Sequence, residues 1–200
     1  MATSKVEVWN LALIQAGHSQ LVANEEEDST ESRLCSTIYE QCRDFVLREF
    51  PWRFAKARVA LALIEGQPNS SWLFQYSLPA DCLMVRSIVH SGQQHDLPCW
   101  QIAFEVADNG DGPVLFTNAE QAEMIYTKRV TNVQHYDPSF VTALSLYMAT
   151  LLVIPLKGKP DIAQMLQKAY SRAVHQAAAN SLNEAFVATK DDSLLSSRNG

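Results

Sequence analysis

Apolar residues recur with a helical rhythm at both ends of the chain and with a strand-like alternation in its middle. Near the start, Val6, Trp9, Leu13 and Ile14 fall on one helical face, and Gly17 supplies the stop of a helix C-terminus. The acidic run Glu25-Glu26-Glu27-Asp28 then leads into Ser29 and Thr30, either of which caps a second helix. Those negative charges favour the positive end of that helix. Its stripe is Leu34, Ile38, Cys42, Phe45 and Glu49, widened by Cys35 and Val46. Pro51 interrupts it and forces a corner, which Phe50, Trp52 and Phe54 pin into the core. A short helix is expected from about Trp52 to Glu65.

After a polar turn over Gly66–Ser71 the periodicity changes. Leu73, Phe74 and Tyr76 predict a strand that stops at Leu78-Pro79, and Val85, Ile88 and Val89 another after the turn Pro79-Ala80-Asp81. Trp100–Val106 and Val114–Phe116 flank Asp108-Asn109-Gly110-Asp111-Gly112, a hairpin signal because Asn and Gly tolerate positive φ. Met124, Tyr126 and Lys128 alternate with Ile125, Thr127 and Arg129 in a last strand. Four or five such strands predict a small antiparallel sheet.

Helix returns at Asp137-Pro138, where an N-cap Asp precedes a proline whose missing N–H is an orphan donor in any case. This helix runs to about Leu156, is apolar on most sides, and is therefore expected to be central. Lys157-Gly158-Lys159-Pro160 breaks it, and Asp161 opens a longer helix carrying Ile162, Met165, Leu166, Tyr170, Val174 and Ala177. Beyond Phe186 little apolar remains except Leu194 and Leu195. The fold class is α+β, mainly α: a helical body (1–65 and 134–186), a β-rich insertion (66–133) and an extended C-terminal tail (187–200).

Composition narrows the function more than the fold. In this 200-residue chain, 47% hydrophobic and 19% charged residues exclude a disordered polymer, and a net charge of −6 opposes a broad basic surface for nucleic acid. Four cysteines are too sparse for a disulfide scaffold, so reduced thiols in a cytoplasmic setting are expected. The apolar stretch Phe140–Leu156 holds Thr142, Ser145, Thr150 and Pro155, and reads as a core helix rather than a membrane span. The N-terminal residues lack the basic start and continuous apolar run of a signal peptide.

No residue pattern carries chemistry. The chain has no phosphate-cradling glycine loop, no GxSxG and no HExxH. His90, His95 and Cys99 match no zinc spacing, and Asp108, Asp111 and Gly112 read as a hairpin turn rather than a calcium loop. Cys35 and Cys42 lie on an apolar face, where cysteine acts as a small hydrophobe. No catalytic residue, cofactor or metal is expected.

Five segments nevertheless fit one family pattern in order: NLALIQAG, RDFVLREFPWRFAKARVALA, YSLPADCLMVRSIV, EMIYTKRV and HYDPSFVTALSLYMATLL. Together they resemble the head-to-tail adaptor proteins of tailed bacteriophages, the group that includes tail tubular protein A. The resemblance covers roughly residues 6 to 180. It implies a structural, non-enzymatic virion protein at the head–tail junction, made in the host bacterial cytoplasm. Its partners would be the portal protein, a tail tube or nozzle protein, and copies of itself in a dodecameric ring. DNA would pass through the channel without specific binding, and no membrane would be involved. In such proteins the C-terminal extension reaches the portal, which makes Lys190, Leu194, Leu195 and Arg198 the candidate portal-binding residues. Two other classes stay open on the residues alone. An enzyme of an unrecognised family would need convergent titratable groups with displaced pKa values in one pocket. A regulator that binds another protein as a monomer or dimer would need no ring.

Overall fold

The computed structural model describes residues 4–66, 68, 71–90 and 102–183. Its architecture is α+β and mainly α. Helices α1 (Lys5–Gln15) and α2 (Thr30–Glu49) come first, then strands β1 (Lys56–Ala60), β2 (Phe74–Ser77), β3 (Cys82–His90), β4 (Phe104–Asp108), β5 (Pro113–Thr117) and β6 (Ala122–Lys128). Helices α3 (Pro138–Lys157) and α4 (Pro160–Asn183) follow.

The helix boundaries follow local chemistry. Ser29 caps α2 by accepting from Ser32 N–H, and Asp137 caps α3 by accepting from Ser139 N–H, with Pro138 in the first turn. Helix α1 closes in a Schellman turn: Gly17 N–H donates to the Ile14 carbonyl and His18 N–H to that of Leu13. That turn requires the left-handed conformation Gly17 adopts, at φ 73°. Gly158 ends α3 in the same region, at φ 62°.

Helix α3 is the central one, packed by α1, α2 and α4. By length and hydropathy alone it could span a membrane; half of that stretch is buried inside the fold. On α2 the fully buried line is Cys35, Tyr39, Cys42 and Val46, whereas Leu34 and Ile38 are half-buried. Phe45, expected inside, is 46% exposed and lies flat on Tyr147, with ring centroids 4.6 Å apart. The buried face of α2 is thus rotated from the expected stripe toward Cys35, Tyr39 and Val46.

The expected helix from Trp52 to Glu65 does not form. A 3₁₀ turn (Arg53–Ala55) leads directly into β1, which pairs antiparallel with β6 from Lys56↔Thr127 to Ala60↔Glu123. Ala57 and Val59 alternate with Lys56, Arg58 and Ala60, a period that buries one face of a strand. The single expected sheet is instead two three-stranded antiparallel sheets, ordered β1-β6-β3 and β2-β5-β4. Between them lies a second core of Tyr76, Ile88, Leu115, Ala119, Ala122, Met124 and Tyr126. The β4–β5 hairpin forms where expected, closed by Asn109 N–H to the Gly112 carbonyl.

Candidate functional site

The most heavily built region outside the regular elements is the corner after α2. Pro51 ends the helix, and the next residues turn their rings into the helical core. Trp52, 3% exposed, donates its Nε1–H to the Val46 carbonyl at 2.8 Å, one of the orphan acceptors of the helix end. Its ring meets Phe50 and Phe140 edge-on at 5.0 and 5.2 Å, and Phe54 meets Phe140 at 5.1 Å. Tyr136 completes the cluster against Phe140 at 4.8 Å. Beside this cluster lie the first turn of α3 and the later turns of α4. They leave a cleft of about 250 Å³ along Pro138, Thr142, Ala173 and Ala177. Phe50, Trp52 and Phe54 line the adjoining hollow, and Asn180 lines both.

A second arrangement fastens the β sheets to the helices. Arg86 of β3 reaches the C-terminus of α2, donating to the carbonyls of Leu47 at 3.3 Å and Arg48 at 2.7 Å, while its Nε donates to Thr127 Oγ1 at 2.8 Å. Burial, with the Arg48 charge nearby, pulls the Arg86 pKa below the ordinary arginine value. Asp44 of α2 accepts from the buried Arg43 at 2.8 Å and from Arg129, just past β6, at 2.9 Å. Tyr39 and Tyr136 share a buried hydrogen bond at 3.4 Å, and Tyr136 donates onward to the Val130 carbonyl. Neither Arg86 nor Asp44 is marked in the sequence. A lone arginine in a strand-forming run (Val85-Arg86-Ser87-Ile88) is the only trace of the first.

Several displaced titrations lie in the helical core. Burial pushes the Cys35 thiol up to about 12, with the Glu31 charge adding to it, and burial does the same to Cys42, also to about 12, helped by Cys35. Tyr39 and Tyr170 are raised as well, first by burial and then by their hydrogen bonds to Tyr136 and to the Glu49 carboxylate. Because the folded-state values of the two thiols lie above the ordinary one, the stability they contribute is present below the unfolded pKa and lost as pH climbs toward 12. Cys35 and Cys42 are therefore expected to resist alkylation in the native chain at about pH 8 and to react once the chain is unfolded. Mass spectrometry of the labelled protein, before and after denaturation, counts them. Native labelling at the rate of a free thiol would contradict the burial.

The residues singled out from sequence are not brought together. Lys190, Leu194, Leu195 and Arg198 lie outside the described residues, as do His95 and Cys99. Asp108 accepts from Gly110 N–H at 2.6 Å and Asn109 from Asp111 N–H at 3.0 Å, so these side chains shape the hairpin. In the acidic loop, Glu25 pairs with Lys5 at 3.1 Å and Glu27 accepts from Ala23 N–H. Among the described residues, no three His, Cys, Asp or Glu side chains gather as metal ligands would. What sequence reading missed is apolar surface: Leu11 and Ile14 of α1, and Leu151 and Ile154 of α3, are 40–56% exposed.

No protein-family model matches this chain, and comparison with curated proteins finds no significant match.

Proposed function

We propose that the chain is a structural head-to-tail adaptor of a tailed bacteriophage. Copies would form a ring, expected to be dodecameric, between portal and tail, with a channel for DNA. The observation that carries this reading is where the five resembling segments fall. NLALIQAG leads into the Schellman turn of α1, and RDFVLREFPWRFAKARVALA spans the aromatic corner and β1. YSLPADCLMVRSIV turns from β2 into β3, EMIYTKRV is most of β6, and HYDPSFVTALSLYMATLL opens the central helix. Four of the five take in a joint of the scaffold, and the fifth is the strand that pairs with both β1 and β3. Leu11, Ile14, Leu151 and Ile154 suit a subunit that packs against its own copies, since a ring buries two different faces of each chain.

In this reading the C-terminal tail is the portal clamp. Leu194 and Leu195 fill an apolar cleft on the portal while Lys190 and Arg198 meet acidic residues around it. Burying two leucines contributes about 3–6 kcal/mol before ordering costs. Repetition around a ring turns a small surplus per copy into firm attachment. Deleting residues 187–200 is expected to leave circular dichroism and melting nearly unchanged while abolishing binding to the cognate portal. Electron microscopy of portal rings mixed with the intact and shortened proteins checks it. Failure of the intact chain to decorate portals would overturn the adaptor reading, and unchanged attachment of the shortened chain would overturn the clamp.

A further inference from the structure

The cleft between the start of α3 and the end of α4 has an occupant within reach. Its walls are Pro138, Ser139 and Thr142 on one side and Ala173, Gln176, Ala177 and Asn180 on the other, with the aromatic corner adjoining. Alanines on α4 keep the floor low, so a large side chain from elsewhere can enter. Helix α4 delivers the chain to this place. Its last residue, Asn183, stands one turn past the cleft residue Asn180, and 17 residues follow to Gly200. The first of them include Ala185-Phe186-Val187-Ala188, an apolar block separated by Thr189 alone from the charged Lys190-Asp191-Asp192.

We propose that this cleft is an intramolecular docking site for the chain's own segment 184–188, with Phe186 as its anchor. The reach suffices. From residue 177 to residue 183 the helix climbs about 9 Å, and three extended residues after Asn183 cover about 10 Å. Turned back along α4, with part of that length spent on the reversal, Phe186 comes level with Asn180, which lines both the cleft and the hollow beside the corner. There its ring finds the edges of Phe50, Trp52 and Phe54, the T-shaped geometry that this cluster already uses. A tether this short holds the segment at an effective concentration of about millimolar or more, so even a weak site is filled. A second copy would have to compete with that concentration, which favours the chain's own segment. Docking stops before Lys190, so residues 190–198 stay available to a partner. The inference does not depend on the adaptor reading.

The test replaces Phe186 with the photocrosslinking analogue p-benzoylphenylalanine in the full chain, which keeps the aromatic anchor. Irradiation of dilute protein, then tryptic mapping, is expected to link position 186 to the peptides holding Phe50–Arg53 or Pro138–Thr142 of the same chain. Adding Thr142→Arg, an exposed change that intrudes on the cleft, is expected to lower that yield about tenfold with circular dichroism unchanged. No link to either of those two peptides, or a yield indifferent to Thr142→Arg, would each overturn the proposal. Links between two chains whose yield rises with concentration would assign the cleft to a second copy and overturn it as well.

Discussion

Trp52→Ala is expected to lower the stability of the whole chain by about 3–5 kcal/mol, in the range for truncating a fully buried aromatic. The substitution removes the ring from between Phe50 and Phe140 and takes away the donor that satisfies the Val46 carbonyl. For a chain of this size each kcal/mol moves the melting temperature by about 2–4 °C, so a fall of about 6–20 °C should follow. Trp52→Phe separates the two losses. It keeps most of the apolar volume and leaves the carbonyl at the end of α2 unpaired, a cost of about 1–3 kcal/mol. Urea titration of both variants measures the difference. If Trp52→Ala cost less than about 1 kcal/mol, a value ordinary for an exposed site, the corner would not be part of the helical core.

Arg86→Met should be nearly as damaging although the side chain makes no ion pair with a carboxylate among the described residues. Methionine keeps the apolar stem, so the loss isolates the guanidinium and its three hydrogen bonds, two of them to carbonyls at the end of α2. A hydrogen bond from a charged donor contributes about 1.5–3 kcal/mol, and the desolvation cost of the part-buried guanidinium, recovered on its removal, offsets much of the sum over three. The expected loss is about 2–3 kcal/mol. Arg86→Lys is expected to recover little of it, because one ammonium cannot bridge the separated Thr127 hydroxyl and helix-end carbonyls as a planar fork does. Equilibrium unfolding distinguishes the cases. Full recovery by lysine would show that only the charge near α2 matters, through the helix dipole, and not the fork.

Much of the helical half was legible because its signals are local. Ser29, Asp137-Pro138, Gly17 and Gly158 act on their own turns, and the structure uses all four where they stand. The error at residues 52–65 has an equally physical origin. Alanines at 55, 57, 60 and 62 suggest helix by propensity, yet Ala57, Val59 and Leu61 alternate with polar or exposed neighbours and pack into the inter-sheet core. Propensity is a weak preference, and the unpaired edge of β6 supplied hydrogen bonds that outweighed it. The division into two sheets was not legible at all. It depends on β1 finding β6 rather than β2, a pairing between segments far apart in sequence.

The candidate site divides the same way. The aromatic corner was visible in Phe50-Pro51-Trp52-Arg53-Phe54, since proline must turn the chain and three rings must then be buried. The cleft beside it was not, because it forms only where the start of α3 meets the end of α4, two segments far apart in sequence. Sequence alone determined the helix ends, the apolar central helix, the hairpin and the corner, each specified by the chemistry of a few neighbouring residues. Only the tertiary structure decided which strands pair, which arginine ties β3 to α2, which face of α2 turns inward, and where a cleft opens. Those outcomes depend on the relative placement of distant segments, and that placement is set by packing the whole chain at once.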